Sequence, residues 1–191
     1  MANEQNTKAP PFETMVAAPN FISAAEIDRL IEEHAPLIAE AKLGGGVTEP
    51  SVRRSRVAFL GAEPRYRWLY ERLWIAAQDC NRSFFGVDIS TVEANVQLAR
   101  YDSSDQGFYD WHTDFADFRP LRKLSFSVQL SHSEDYDGGD LELFVRNRPQ
   151  VAVRDRGALI AFPSFTLHRV APVMRGTRWS LVAWILGNRW R

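Results

Sequence analysis

The feature that most restricts the fold is the second half of the chain, where short apolar runs alternate with turn residues. From about residue 91 to the end these runs are TVEANVQLARY, GFYDWHTDF, KLSFSVQLS, GGDLELFV, QVAVR, GALIAF, HRVAPV and RWSLVAWIL. Eight short strand candidates at nearly even spacing are typical of a β-sandwich or β-barrel. The sequence therefore predicts a mainly β protein.

Two helical segments precede these strands. Ser23 and Glu26 form a capping box before IDRLIEEHAPLIAEAKL, an amphipathic pattern that Pro36 should kink or divide. Residues 63–84 carry apolar residues at helical spacing, and RRSRVAFLG (53–61) between the two segments predicts a strand. We expect the two helices to cover one sheet from outside.

The chain has the length of one domain. A chain of 191 residues is long enough for one well-buried core, and it contains neither repeats nor a low-complexity tract. Residues 1–20 are polar and rich in proline, which indicates a loosely ordered lead-in. We predict a single domain over 21–191, with helical support over about 21–90 and a β core over about 91–187.

Charge and composition argue against several classes of protein. The net charge of −1 and the pI near 6.4 disfavour general binding to nucleic acid or to an anionic membrane. RRSR at 53–56 would fit a nucleic-acid contact, but a solvated or carboxylate-binding strand is the better interpretation in a chain with so little net positive charge. The single cysteine, Cys80, allows no intramolecular disulfide and should be a buried thiol.

The sequence carries no recognisable targeting or membrane signal. The beginning, MANEQNTKAPPF, lacks the basic and then apolar pattern of a signal peptide. No apolar run approaches the length of about 18 residues that a transmembrane helix needs. These features predict a cytoplasmic protein without a membrane or nucleic-acid partner.

Four histidines are candidates for metal ligands: His34, His112, His132 and His168. His34 stands beside two glutamates on the first helical segment, so we expect it to be solvated. His132 lies in the polar turn SHSEDYDGG and should also be exposed. His112 in WHTDF and His168 in FPSFTLHRV stand at strand edges in apolar surroundings, which makes them the stronger candidates.

The stretch YDWHTDF places Asp110, His112 and Asp114 at alternate positions of a predicted strand. Alternate residues of a strand point to the same face. A non-haem iron(II) site takes two imidazoles and one carboxylate on one face and leaves the opposite face open. His112 and one aspartate would supply two ligands, and His168 would supply the third from a later strand. On periodicity alone, Asp110 would serve as well as Asp114.

Arg178 opens the apolar strand RWSLVAWIL, ten residues after His168. A guanidinium is expensive to bury without an anionic partner, and its fork of donors suits a carboxylate. We interpret Arg178 as the partner of a ligand carboxylate, with a salt bridge at the strand end as the alternative. Ser180 and Trp184 follow at i+2 and i+6, so they share its face and should line the pocket.

In combination these motifs resemble a known family. The stretch from about 93 to 186 is similar to the 2-oxoglutarate- and iron(II)-dependent dioxygenases, in particular the prolyl-4-hydroxylase-like branch and its bacterial PKHD-type hydroxylases. The matching pieces occur in the family's order: QLARYDSSDQGFYDWHTDF, KLSFSVQLS, DYDGGDLELF, ALIAFPSFTLHRVAPV and GTRWSLVAW. The resemblance implies a double-stranded β-helix, a jelly-roll or cupin-like core of about eight strands, with helices packed on one sheet.

The same resemblance implies roles for particular residues. His112, Asp114 and His168 become the iron ligands, which selects the second aspartate of YDWHTDF. Arg178 becomes the partner of the distal carboxylate of 2-oxoglutarate. Tyr101 falls where the family often has a tyrosine in the cosubstrate pocket, although its interval to His112 is one residue longer than in some relatives.

The resemblance also implies the reaction. An enzyme of this kind uses Fe(II), 2-oxoglutarate and O2 to hydroxylate an unactivated C–H bond, with succinate and CO2 as coproducts and with ascorbate as an accessory reductant. The implied substrate is prolyl, peptidyl or amino-acid-like, either a small molecule or a peptide. The alternatives are a non-catalytic binding module of the same fold, an oxygenase acting on a non-peptide small molecule, and a cupin-like metal enzyme without a cosubstrate.

Several further residues are candidates for the pocket and its entrance. Tyr109 matches a common family aromatic, for which packing is the expected role. Arg119 and Arg122 are candidates to meet an acidic substrate group, with surface solubility as the alternative. An apolar wall is predicted from Phe115, Phe126, Val128 and Trp184.

Overall fold

The computed structural model describes residues 13–43, 46–115 and 121–188, and this part of the chain is mainly β. It contains two α-helices, α1 (Ala24–His34) and α2 (Arg67–Cys80). Its fourteen strands, all paired antiparallel, are β1 (Val16–Ala18), β2 (Ala39–Glu40), β3 (Arg53–Arg54), β4 (Arg56–Leu60), β5 (Thr91–Val92), β6 (Val96–Asp102), β7 (Phe108–His112), β8 (Arg122–Gln129), β9 (Tyr136–Gly138), β10 (Leu141–Val145), β11 (Arg148–Val151), β12 (Leu159–Pro163), β13 (His168–Val170) and β14 (Val173–Leu186).

The strands form two sheets. The major sheet has the order β1-β12-β8-β14-β6-β4-β2, and β5 and β9 also pair with β14. The minor sheet has the order β11-β10-β13-β7-β3. The sequence placed Arg178 at the first position of a strand, but β14 already begins at Val173, so Arg178 lies inside it. At this position Arg178 pairs with Tyr101 of β6.

The central strands of the major sheet have one apolar and one polar face. In β8 and β14 the apolar face joins the two helices in the main hydrophobic core, which includes Ile27, Leu30, Leu69, Leu73, Leu124, Phe126, Val128, Leu181 and Ala183. The other face of the same strands carries Ser125, Ser127, Gln129, Arg178 and Ser180. The prediction that Val128 lines the cavity is therefore wrong, because Val128 lies in the main core. Phe126 packs in this core and borders the cavity as well.

Helix α1 begins as predicted and ends earlier. The Ser23 hydroxyl oxygen accepts the Glu26 N–H at 3.3 Å, and the Glu26 carboxylate accepts the Ser23 N–H at 2.9 Å, which completes the capping box. The helix ends at His34, and Pro36 lies in a 3₁₀ turn over Ala35–Leu37. A proline cannot donate the next helical hydrogen bond, so the chain leaves the helix here.

The strand predicted over 53–61 is divided between the two sheets. Arg53 and Arg54 pair with β7 in the minor sheet, whereas Arg56–Leu60 pairs with β6 in the major sheet. The chain crosses from one sheet to the other at Ser55. This crossing brings Arg53 to the space between the sheets.

The lead-in predicted over residues 1–20 lies only partly within the described residues. Residues 1–12 fall outside them, and Val16–Ala18 forms β1 on β12. In helix α2, Cys80 is a buried free thiol, as expected. No helix in the described ranges combines the length and the apolar character needed to cross a membrane.

The prediction that His34 is solvated is wrong. Its side chain is buried, with Nδ1 2.8 Å from the Leu30 carbonyl oxygen and Nε2 2.6 Å from the Tyr66 hydroxyl. The two glutamates that precede it are exposed, because successive residues of a helix point in different directions. His34 thus joins α1 to the chain that leads into α2.

We expect His34→Leu to lower the free energy of unfolding by about 1–3 kcal/mol, because the buried Tyr66 hydroxyl loses its partner. Urea unfolding followed by circular dichroism measures the change. Glu32→Ala, at an exposed position of the same helix, should stay within about 0.5 kcal/mol of the wild type. Equal stability of His34→Leu and the wild type would contradict a structural role for the His34–Tyr66 contact.

Candidate active site

The two histidines in apolar surroundings meet across the minor sheet. His112 at the end of β7 and His168 at the start of β13 are direct cross-strand partners, with ring centroids 4.1 Å apart. Each ring holds its Nδ1 close to a backbone carbonyl oxygen, 2.7 Å from Asp110 for His112 and 2.9 Å from Thr166 for His168. When Nδ1 donates to these carbonyls, the Nε2 lone pair of each ring is free for a metal.

Asp114 completes the group. Its Oδ1 lies 3.8 Å from His112 Nε2, and its Oδ2 lies 3.6 Å from His168 Nε2. One donor atom from each of the three residues falls within 4.8 Å of the other two. This is the only such cluster of three or more potential ligands found within the described residues. Two imidazoles and one carboxylate with an open side form the facial arrangement typical of non-haem iron(II).

The sequence predicted a strand through the whole of YDWHTDF, but the strand ends before Asp114. Strand β7 ends at His112, and Asp114 lies in the following turn, where its N–H donates to the Ser164 carbonyl oxygen at 3.0 Å. Asp110 is exposed, and its Oδ1 accepts the N–H of Trp111 at 2.8 Å. Asp110 therefore does not share the site, and the structure separates the two aspartates that periodicity left equivalent.

An irregularity in β7 explains the separation. His168 pairs with His112 and Val170 pairs with Tyr109, so two steps along β13 match three steps along β7. This is the count of a β-bulge, which re-aims the side chains around it. As a result Tyr109 faces the cavity with His112, and their rings stack with centroids 3.5 Å apart. Tyr109 packs, as expected, but it does so on the candidate ligand itself.

The environment sets the protonation of the cluster. Burial lowers the pKa of His112 to about 3, with His168 acting in the same direction, so the imidazole is neutral at physiological pH. For Asp114, burial alone would raise the pKa of the carboxyl. The neighbouring imidazoles and the Ser125 hydroxyl, which donates to Oδ2 at 2.6 Å, outweigh burial and lower it. Neutral imidazole and ionised carboxylate are the states that bind a metal.

Arg178 lies across the cavity in the major sheet and is 1% exposed. Its Nη2 donates to Gln129 Oε1 at 2.9 Å, and its Nη1 makes a long contact of 3.4 Å with Ser180 Oγ. Its Nε has no hydrogen-bond partner, and no carboxylate of the described residues forms an ion pair with Arg178. The salt bridge considered as an alternative is thus absent from the described part of the chain. A buried guanidinium that no described carboxylate neutralises is suited to bind an anionic ligand.

Tyr101 stands next to Arg178. The two residues are direct partners between β6 and β14, and the guanidinium carbon lies 5.5 Å from the tyrosine ring centroid. Tyr101 is buried and borders the cavity. Ser180 and Trp184 line the cavity on the same face as Arg178, as their spacing predicted.

The cavity between the two sheets has a volume of about 540 Å³, which is in the usual range for a small-molecule site. The candidate ligands lie in its wall together with Arg178, Tyr101 and Tyr109. Its floor on the major sheet is more polar than predicted, because Ser127 and Gln97 contribute to it beside the predicted Ser180. A cavity with one apolar side and several fixed polar groups suits a small charged ligand.

Two predicted entrance residues have different outcomes. Arg122 is engaged within the protein: its Nε and Nη2 donate to the Glu93 carboxylate at 2.6 and 3.0 Å, and its guanidinium stacks 3.6 Å above the Trp184 ring. It is therefore a support for Trp184 and not a free cation for substrate. Arg119 lies outside the described residues.

The sequence interpretation gave two residues that contact the site no role, and gave a third only a general one. Ser125 holds Asp114, Gln129 holds Arg178, and Arg53 lies above Tyr109. The signal for the first two was present in KLSFSVQLS, whose polar residues alternate with apolar ones and so share one face. Arg53 belongs to RRSR (53–56), which the sequence offered as a solvated or carboxylate-binding strand, but its position above Tyr109 depends on the crossing at Ser55.

Comparison with known proteins agrees with this geometry. A family model, that of the 2OG-Fe(II) oxygenase superfamily, matches residues 96–186. A PKHD-type hydroxylase of Synechococcus sp. (strain JA-2-3B'a(2-13)) is 44% identical over 174 residues, which cover 86% of this chain and 74% of the relative. A PKHD-type hydroxylase of Hyphomonas neptunium is 41% identical over 69 residues, covering 36% of this chain and 31% of that protein.

Solved structures share the fold at low sequence identity. A prolyl hydroxylase of Trichoplax adhaerens, in complex with a hypoxia inducible factor peptide fragment, matches with a TM-score of 0.76 at 20% identity, over 91% of this chain and 84% of that one. A prolyl-4-hydroxylase of Pseudomonas putida matches with a TM-score of 0.73 at 18% identity, over 92% of this chain and 93% of that one. Both likenesses concern the arrangement of strands.

The fold and the cavity thus define an oxygenase of the double-stranded β-helix class that uses Fe(II), 2-oxoglutarate and O2. Within that class, the chain belongs to the 2OG-Fe(II) oxygenase superfamily and to its PKHD-type, prolyl-hydroxylase-like branch. Its activity is that of a 2-oxoglutarate-dependent hydroxylase, as the sequence predicted.

Proposed function

We propose that His112, Asp114 and His168 hold the Fe(II) of this hydroxylase. The support for this assignment is the donor set itself, two imidazoles and one carboxylate whose donor atoms lie within 4.8 Å of one another. Hydrogen bonds from outside the cluster fix each donor: the Asp110 and Thr166 carbonyls orient the rings, and Ser125 orients the carboxylate. Bound iron supplies the oxidative chemistry, and these residues supply its position.

Arg178 binds the distal carboxylate of 2-oxoglutarate in this proposal. The observation that supports it is the buried Nε without a partner, on a guanidinium that no described carboxylate neutralises. Gln129 and Ser180 hold the other nitrogens, so the side chain is already positioned for an incoming anion. Tyr101 beside it bounds the same end of the cavity.

The substrate in this proposal presents an unactivated C–H bond from a prolyl, peptidyl or amino-acid-like group. Relatives named as prolyl hydroxylases support this class. The protein's task is to hold that C–H bond beside the iron position while the aromatic walls, Tyr109 and Trp184, limit access of water. The single domain over 21–191, the cytoplasmic location and the use of ascorbate stay predictions.

Turnover with matched libraries tests the proposal. Fe(II)-loaded protein, 2-oxoglutarate and O2 are incubated with proline-containing peptides and with free amino acids. We expect formation of succinate together with a product heavier by one oxygen atom, and neither in metal-free protein. Succinate at the metal-free background with every library member would favour the alternative of a non-catalytic binding module.

The hydrogen bond from Ser125 to Asp114 leads to a separate prediction. Ser125→Ala should weaken Fe(II) binding by about 10–100-fold, the usual cost of removing a group that orients a ligand. Competition with a fluorescent chelator under anaerobic conditions measures the affinity. Ser127→Ala, on the same strand face but without a bond to Asp114, is the matched control. Similar affinities in both variants would show that Ser125 does not position Asp114.

A further inference from the structure

A second buried arginine borders the cavity on the side opposite Arg178. Arg53, the first residue of β3, pairs with Tyr109 of β7 and is only 8% exposed. Its guanidinium carbon lies 4.5 Å from the Tyr109 ring centroid, and that ring stacks on His112. Arg53, Tyr109 and His112 therefore form one column, in which the guanidinium is the layer furthest from the candidate metal ligands.

No carboxylate of the described residues pairs with the buried guanidinium of Arg53. Within the described residues its hydrogen bond is from Nε to Ser55 Oγ at 2.7 Å, and it forms no ion pair. Its Nη2 is buried and has no hydrogen-bond partner. Arg122, the neighbouring arginine of the cavity, shows the contrast, because two of its nitrogens bind the Glu93 carboxylate. Burying a cation without an anion is costly, so a guanidinium of this kind at the edge of a cavity is suited to bind an anionic group.

The cosubstrate does not supply that anion. In the proposed complex, the charge of Fe(II) is balanced by Asp114 and by the near carboxylate of 2-oxoglutarate. The far carboxylate is balanced by Arg178. Arg53 is left without a negative partner, and Lys42, an exposed residue that also borders the cavity, adds a further positive charge. The remaining charge of the described cavity residues is therefore positive.

We propose that Arg53 binds a carboxylate of the substrate, so that the enzyme selects molecules with an anionic group near the C–H bond that reacts. This inference rests on the proposed function and deepens it. Because Nε is engaged by Ser55, the two terminal nitrogens are the pair that a carboxylate meets in a two-pronged contact. One ring, that of Tyr109, separates the guanidinium from His112. The carboxylate and the reacting C–H therefore lie within about two residues' length, at about 3.5 Å per residue.

Binding of acids and their amides to the loaded protein tests this directly. The full chain, saturated with Fe(II) and 2-oxoglutarate without oxygen, is titrated calorimetrically with matched pairs. These are free L-amino acids and their amides, peptides with a free or amidated C-terminus, and peptides with aspartate or asparagine beside proline. We expect at least one acid to bind about 10–100-fold more tightly than its amide, the range for a hydrogen bond to a charged group. The pair that shows it identifies the source of the carboxylate.

The variant Arg53→Gln should remove the preference. It should bind the acid as weakly as the wild type binds the amide, while its affinity for the amide and for 2-oxoglutarate stays unchanged. Unchanged 2-oxoglutarate binding also shows that the variant is folded. Arg53→Lys keeps the positive charge but loses the guanidinium fork. Its preference for the acid should lie between that of the wild type and that of Arg53→Gln. Arg54→Gln is the matched control, because Arg54 stacks on Phe108 and donates to the Asp105 carbonyl.

Three results would overturn the inference: no acid binds the loaded wild type, acids and amides bind it equally, or Arg53→Gln keeps the acid preference. Each of these leaves 2-oxoglutarate binding intact. Failure of the proposed function has a different signature, because the metal-loaded wild type would then bind no 2-oxoglutarate at all.

Discussion

The variant Asp114→Ala is expected to lose Fe(II) binding and succinate formation, whereas Asp110→Ala should keep both. Asp114 offers the only carboxylate of the candidate cluster, and its removal should weaken the affinity by more than about 100-fold, since groups that merely orient a ligand already cost about 10–100-fold. Asp110 is exposed and touches the cluster only through its backbone carbonyl, which alanine retains. Iron content after anaerobic loading and succinate release measure both effects.

The pair of aspartates is a strict comparison because both stand in YDWHTDF and both variants remove one negative charge. A second comparison, of His168→Ala with His132→Ala, tests the histidine ligands. His132 is the control because it is exposed, as predicted, and lies in a polar turn outside the cluster. Equal iron content in Asp114→Ala and Asp110→Ala would refute the ligand assignment. Loss of iron from both variants would indicate a general effect of negative charge on iron binding.

Arg178→Gln is expected to lose 2-oxoglutarate and keep iron. Removing one partner of a buried, hydrogen-bonded charge pair costs about 2–5 kcal/mol, which is about 30-fold to several thousand-fold in affinity. The wild type should strongly prefer 2-oxoglutarate to 2-oxopentanoate, in which a methyl group replaces the distal carboxylate. In Arg178→Gln this preference should disappear, because the variant has lost the group that distinguishes the two. Anaerobic calorimetry of the iron-loaded proteins measures the four affinities.

Arg175→Gln is the matched control, since Arg175 lies on the same strand but is exposed and paired with Asp137. Its affinity for 2-oxoglutarate should equal that of the wild type. A wild-type affinity in Arg178→Gln would contradict the assignment and would direct attention to Arg53 as the cosubstrate's partner.

Much of the fold could be predicted because strand alternation and helix capping are local properties. The capping box of Ser23 and Glu26, the β character of the second half and the face shared by Arg178, Ser180 and Trp184 all follow from residues close in sequence. The number of strands does not, since the described residues form ten strands where eight were predicted. The family motifs also predicted the residues of the candidate site from the sequence alone. The candidate ligands, Arg178 and Tyr101, which the structure brings together, belong to these motifs, whereas Arg53 does not.

The errors concern features that depend on distant parts of the chain. The alternation in KLSFSVQLS defines two faces, but only the docked helices determine that Val128 belongs to the covered face and Ser125 to the cavity. His34 is buried because Tyr66, in a later segment, meets it. The β7 bulge that turns Asp110 outward is visible only in its pairing with β13. None of these contacts leaves a trace in the neighbouring sequence.

The most direct test is a calorimetric titration of the Fe(II)-loaded protein with 2-oxoglutarate in the absence of oxygen, beside the same titration of the metal-free protein. The arrangement of His112, Asp114, His168 and Arg178 predicts one 2-oxoglutarate per chain, bound much more tightly when iron is present, because the iron and Arg178 each hold one carboxylate. Equal binding with and without iron, or no binding to the iron-loaded protein, would contradict it.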